Sequence, residues 1–328
     1  MPNTRDIKNR IKSVENIGQV TRALEAVSAS RARKAQQQAL NSRPYAQKAW
    51  EVLVNVASQS NGGTTLHPLL EVRPRVDNFC VLLITGDRGL AGTYNAGIIR
   101  KATQFADKHC QEEVNCSARW VTVGRKGRDA LLRLGASVVA EFSSPPANLH
   151  IDAVRPIART VIDEFLTGVV DQVFIAYTDY VNMLVQDPVV LNLLPLRPFA
   201  AQNQAVAEFV KREPTVTTQG REYLYEPSAQ AILDEVLPRF TELQIYQAIL
   251  ESEASEHSAR MIAMRNASEN AEALAGDLRL TFNKVRQMAI TSEILDIVGG
   301  VEALKGEANR IVDEMQRQFD SIDKFAAL

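Results

Sequence analysis

Two glycine-rich segments are the first places to look for chemistry in this 328-residue chain. GDRGLAG at 86–92 follows an apolar run and precedes a helical pattern, where a strand-to-helix turn can cradle a phosphate. Its spacing is G-x-x-G-x-x-G, whereas a dinucleotide fold uses G-x-G-x-x-G, and no G-K-[ST] of a P-loop follows. Asp87 would also set a negative charge beside any phosphate. GRKG at 124–127 repeats the arrangement with the same shortfall. Both segments read as structural turns, although amides at a helix start could still take an anion. His67, His109, His150 and His257 stand at no metal-ligand spacing from one another or from a cysteine. His257 falls on a helical seam and reads as a packed histidine. No G-x-S-x-G elbow or H-E-x-x-H motif occurs, and Asp234 and Glu235 read as ordinary surface acids. The expected catalytic, cofactor and metal sets are therefore empty.

The elements around these turns alternate strand and helix. Phe79–Ile84 is a continuous apolar run, as in a strand buried on both faces. Helical patterns follow at Tyr94–His109, Lys126–Leu134 and Ile151–Leu166. Strand patterns fall at Arg119–Val123, Ser137–Phe142 and Gln172–Ala176, with a further strand across Asn182–Leu194, irregular at Pro188. This order predicts an α/β domain with a parallel, doubly wound sheet and helices on both faces. Residues 199–221 read as a surface loop.

On either side lie long helices. From Thr4 to about Ser58 there is one proline, Pro44, and one glycine, Gly18; Arg239–Val298 holds no proline and only Gly276. A helix of roughly 60 residues is about 90 Å long, more than a compact domain needs. On the first, Ile7, Ile11, Val14, Ile17, Val20, Leu24 and Val27 recur at helical steps. Pro44 is expected to kink or restart it. The last long helix carries a heptad-like seam: Leu250, Ala254, His257, Met261, Met264, Ser268, Ala271, Ala275, Leu278, Phe282, Val285 and Ala289. Many of these are small, so two backbones can approach closely. An antiparallel pairing of the two helices follows, because both join one central domain. Gly299-Gly300 is expected to end or bend the helix. Beyond it, Ile311, Met315, Phe319, Ile322 and Phe325 predict an amphipathic helix.

Bulk composition excludes several classes. A net charge of -2 argues against nucleic acid as the main partner. Residues 5–34 carry eight basic and three acidic side chains, a solvated face or a dock for an acidic partner. Cys80, Cys110 and Cys116 make no disulfide framework. MPNTRDIKNR lacks the apolar segment of a signal peptide, and no apolar run reaches the roughly 18 residues of a membrane span. A cytoplasmic protein is expected, meeting a membrane only through other proteins.

Several blocks carry a family resemblance: IKNRIKSVENIGQVTRALEAVSASRARK at 7–34, SRPYA at 42–46, TGDRGLAGTYN at 85–95, LLPL at 193–196, YLYEP at 223–227, IYQAILESEASEHSARMIAMRNASENA at 245–271 and NKVRQMAITSEILDIV at 283–298. The chain resembles the gamma subunit of F-type ATP synthase, the central rotor shaft, over about residues 4–304. The resemblance implies a long antiparallel coiled coil of the terminal helices beside a Rossmann-like domain that binds no nucleotide. The corresponding ranges are 1–60 and 226–304 for the shaft helices, 76–220 for the α/β domain and 305–328 for an extension. It implies a non-catalytic subunit that couples ion-driven rotation to the catalytic beta subunits. Its partners would be the alpha and beta subunits, the epsilon subunit and the membrane c-ring. It would lie on the cytoplasmic face of the inner (plasma) membrane, without crossing it. Arg286, Gln287, Thr291 and Glu293 match family positions that contact the alpha–beta hexamer. Tyr223, Tyr225 and Glu226 match the foot, near the epsilon subunit and the ring. A gamma-like paralogue serving a specialised rotary ATPase, or an assembly partner, fits the same blocks. The chain departs from the family at Gly299-Gly300 and in Lys305–Leu328. Cys110 and Cys116 share the spacing of a redox pair found in photosynthetic members but not its position.

Overall fold

The computed structural model describes residues 4–58, 67–112, 116–145, 149–196 and 229–326. Its helices are α1 (Thr4–Ser58), α2 (Tyr94–Glu112), α3 (Arg125–Arg133), α4 (Ile151–Leu166) and α5 (Ala229–Ala326). Its strands are β1 (Asn78–Ile84), β2 (Ser117–Val123), β3 (Ser137–Phe142), β4 (Gln172–Tyr180) and β5 (Gln186–Leu194). The chain divides into two compact units, residues 22–266 and a second made of 1–21 with 267–328.

The larger unit is built on a five-stranded sheet in the order β3-β2-β1-β4-β5. Strands β1 to β4 pair in parallel, with β1 at the centre. Burial on both sheet faces explains the unbroken apolar run of β1. Phe79, Val81 and Leu83 enter a core with Ile98 and Ala102 of α2 and Leu131 of α3. Cys80, Leu82 and Ile84 enter the opposite core with Val154, Ile157, Val161 and Phe165 of α4. That second core also takes Leu233, Leu237, Phe240, Ile245 and Ile249 of α5 and Ala39 of α1. The long helices are thus rooted in the α/β core.

Three expectations change. The fifth strand runs antiparallel to β4, so the sheet is mixed, with Pro188 opposite Thr178 and the register shift at Val173/Phe174. A proline lacks the amide of a central strand, and an antiparallel edge strand tolerates it. Helix α1 runs through Pro44 without restarting. Pro44 and Leu40, whose carbonyl loses its amide partner, are both exposed, so water can replace the missing bond. Helix α5 begins before Pro238 and continues past Gly299-Gly300 to Ala326 without a break. Two glycines cost about 2 kcal/mol of helix propensity, too little to end a helix that is established on both sides. The expected loop at 199–221 lies outside the described residues.

One histidine gives this unit a pH response. His67 caps a short 3-10 turn, its Nδ1 accepting from the Leu69 amide at 3.0 Å, and Nε2 lies 3.6 Å from Asp234. Burial lowers its pKa, partly opposed by Asp234. The neutral ring is the form that fits. Its contribution is full above the unfolded value of about 6.5 and fades as pH falls toward the lower folded value. His67→Asn keeps an acceptor at the cap and removes the titration. Urea midpoints at pH 7.5 and 5.5 should therefore separate less in His67→Asn than in the parent.

Candidate functional site

At the glycine-rich turns, the start of α3 shows what became of the phosphate-like arrangement. The Arg125 amide donates to the Asp87 carboxylate at 2.9 Å, the Lys126 amide to the Gly86 carbonyl at 3.2 Å, and the Gly127 amide to the Thr85 hydroxyl at 2.9 Å. The amides that an anion would need are already engaged by the β1–α2 turn. Asp87 sits where a phosphate would bind. GDRGLAG and GRKG are two halves of one internal clasp.

The clasp has a second contact that the sequence reading missed. Tyr94, the first residue of α2, places its hydroxyl 2.7 Å from Ser252 of α5. Burial pushes the pKa of that phenol well above its ordinary range, so it stays a neutral hydrogen-bonding group. Arg260 of α5 donates to the Gly89 carbonyl at 3.3 Å and to the Glu256 carboxylate, both members of that pair being largely buried. Arg260 can only donate, so its 3.1 Å contact fixes His257 Nδ1 as an acceptor. His257 is therefore a packed, hydrogen-bonded residue, and no group of three or more potential metal ligands occurs among the described residues. A Cβ on Gly86 would lie 2.7 Å from the Glu256 carboxylate. Position 86 is a glycine because the Glu256 side chain of α5 presses on it. The ESEASEHSAR block signalled this only as an unusually polar stretch in a helix that had to be buried.

In the smaller unit α1 and α5 pair. The Thr21 and Ser268 hydroxyls are hydrogen-bonded to each other at 2.7 Å, and the Thr21 hydroxyl also lies 3.0 Å from the Ile17 carbonyl. A Cβ on Gly18 would lie 3.5 Å from that of Ala271, and Arg279 bonds Glu15. Partner numbers rise on one helix as they fall on the other, so the pair is antiparallel. Ser268, Ala271 and Ala275 are buried and Leu278, Phe282 and Val285 half-buried, in line with the expected α5 seam except at its last member, Ala289, which is exposed beyond the end of the pairing. On α1 the expectation needs correction. Ile17, Val20 and Val27 are exposed, and the buried track runs instead through Ile7, Thr21, Ser28, Ala32, Ala35 and Ala39, with Gly18 half-buried on the same side. At Gly18 a small residue is favoured because the backbone there lies close to Ala271 of α5.

The seam stops where α1 stops. Extrapolating the register sets Thr4 near Val285, and from Arg286 to Met315 every side chain of α5 is exposed. Arg286, Gln287, Thr291 and Glu293 all stand on this unpaired stretch. The eight basic residues of 5–34 are exposed as well. Tyr223, Tyr225 and Glu226 lie outside the described residues. No described helix is long and apolar enough to cross a membrane.

A family model described as ATP synthase matches residues 3–304. The ATP synthase gamma chain of Dehalococcoides mccartyi is 46% identical over 304 residues, covering 93% of this chain and all of that protein. That of Chloroflexus aurantiacus is 42% identical, covering 93% of this chain and 99% of its own length. Among solved structures, a chain of the central stalk and c-ring of the Tetrahymena thermophila mitochondrial ATP synthase aligns with TM-score 0.55 and 25% identity, covering 76% of this chain and 99% of that one. A chain of the Euglena gracilis mitochondrial ATP synthase shares the fold at TM-score 0.59 and 19% identity, covering 92% and 94%.

Proposed function

This chain belongs to the ATP synthase gamma-chain family, and we propose that it works as the central-stalk rotor of a proton-translocating F-type ATP synthase. The observation that carries the reading is the unpaired stretch of α5. A single helix that exposes Ile290, Ile294, Leu295, Ile297, Val298, Val301 and Leu304 is suited to an enclosing partner, not to water. An alpha–beta hexamer supplies that enclosure. Rotation of the helix inside it moves the catalytic beta subunits through their conformations, driven by ion flow at the c-ring. The subunit itself does no chemistry, and the amides at the start of α3 are already engaged from within the chain. Helix α5 is held to the α/β unit by the Glu256–Arg260–Gly89 contacts, which suits a part that must transmit torque. The exposed basic residues of α1 fit acidic surfaces of the hexamer. The foot segment Tyr223–Glu226 meets the epsilon subunit and the c-ring, and the complex lies on the cytoplasmic face of the plasma membrane.

Arg286, Gln287, Thr291 and Glu293 are the proposed contacts with the hexamer. Thr291 donates to the Gln287 carbonyl of its own helix at 2.9 Å, leaving its oxygen free to accept from a partner. The double variant Thr291→Val/Glu293→Gln should lower turnover of the reconstituted complex severalfold with unchanged subunit stoichiometry. Turnover equal to the parent's would remove these residues from the contact set. Failure of the parent chain to assemble with the hexamer would remove the rotor reading itself.

A further inference from the structure

The exposed aliphatics of α5 follow a spacing of their own. Ile290, Ile294, Ile297, Val301 and Leu304 step by four and three, and Ala308, Ile311 and Met315 continue the steps without a slip. At 3.6 residues per turn they form one stripe along the helix. This stripe is not the α1 seam prolonged. The five residues from Val285 to Ile290 turn the helix by about 140°, so the apolar face moves to another side as α1 ends. The positions that would prolong the seam are Ser292, Asp296, Gly299, Ala303, Gly306 and Arg310, all small or polar. Among the large aliphatics of that span, Val298 stands about 90° and Leu295 about 150° from the centre of the stripe.

The stripe also ignores the limit of the family. The family match ends at residue 304, yet the helix continues to Ala326, on the order of 33 Å further. Because Gly299-Gly300 do not break the helix, the phase established at Ile290 reaches Met315 intact. Ile311 and Met315 are about half exposed, as Ile290 and Ile294 are. The sequence repeats the spacing at Phe319 and Ile322. Residues 305–328 carry four basic and five acidic side chains, a net charge of -1, so charge does not select a partner. A tail that merely projected into water would gain nothing from keeping the heptad phase of the enclosed stretch.

We propose that Lys305–Met315 prolongs the bearing face of the shaft and docks on apolar surface of the same alpha–beta hexamer that encloses residues 290–304. The proposal rests on the rotor reading. It gives the shaft a bearing face: one face presents a row of aliphatics to the hexamer while the opposite face presents small and polar side chains and one large aliphatic, Leu295.

The test is maleimide labelling of single cysteines in the full chain. Cys110→Ser/Cys116→Ser is the background, with Cys80 fully buried. Cysteine replaces Ile294, Ile311 or, on the opposite face, Arg310. Labelling is compared between the isolated subunit and the reconstituted complex. The expected result is at least tenfold slower labelling at Ile294→Cys and Ile311→Cys in the complex, and a smaller effect at Arg310→Cys. A bifunctional maleimide at Ile311→Cys should then link to alpha or beta. Slowing at Ile294→Cys with none at Ile311→Cys overturns the docking proposal and leaves the rotor reading standing. No slowing at Ile294→Cys overturns both. Concentration-dependent protection of Ile311→Cys in the isolated subunit, or a cross-link to any other component, overturns the proposal in favour of a second copy or another partner.

Discussion

Gly124→Ala should destabilise the α/β unit by more than about 3 kcal/mol, the largest effect expected of a glycine-to-alanine change among the described residues. Gly124 precedes α3 with φ of 96°, a conformation that side-chain-bearing residues rarely adopt. A Cβ there would lie 2.0 Å from the Thr85 carbonyl oxygen and 2.7 Å from its carbon. Backbone cannot swing away as a side chain can. Thr85 is itself tied into the sheet, its amide donating to Val123 at 2.8 Å and its hydroxyl receiving the Gly127 amide. Moving it would open the clasp between the two glycine-rich turns. Gly135→Ala is the matched control, since Gly135 has φ of 72° and nothing within 4 Å of a Cβ. Strain alone should cost about 1–2 kcal/mol there. Urea denaturation of the two variants measures the difference. Equal losses would show that the Thr85 contact does not hold the clasp.

Ala271→Leu should break mechanical coupling with the α/β unit intact. Ala271 is buried against Gly18 in the antiparallel pair, with 3.5 Å between its Cβ and one placed on Gly18. Three more carbons must push the helices apart, at about 1–3 kcal/mol. Splaying would also separate Thr21 from Ser268, whose hydroxyls are 2.7 Å apart and buried. Coupled ATP synthesis by the reconstituted complex should fall severalfold or more, while nucleotide affinity of the beta subunits stays unchanged. Gly18→Ala tests the same contact from the other side with the opposite sign. Its Cβ makes an ordinary van der Waals contact, and removing a helix-interior glycine gains about 0.5–1 kcal/mol. Full coupling in Ala271→Leu would place the torque-transmitting contact elsewhere on the seam.

Much of this architecture was legible from local pattern. β3 and α4 begin and end at the residues the periodicity indicated, and β1, β2, α2 and α3 differ by only a few residues at their ends. The α5 seam was readable because apolar and small residues recur at four and three over many turns, a signal that no single neighbour can mask. The phosphate-like turns were readable as structural from their spacing and from Asp87, and the hydrogen bonds gave the reason.

What local pattern did not decide was which of two possible faces is buried. On α1, Ile17, Val20, Leu24 and Val27 make as regular a helical stripe as Gly18, Thr21, Ser28 and Ala32. Hydrophobicity favours the first stripe, but close approach of α5 selects the second, and that approach belongs to a residue some 250 positions away. The same cause lies behind the direction of β5, the Arg260–Gly89 contact and the passage of α5 through Gly299-Gly300. Propensity and periodicity act over a few residues and fix what each segment can become. Partner choice, close packing and the satisfaction of buried polar groups act across the whole chain, so only the tertiary structure determines which surface each segment hides and which it leaves for the next protein.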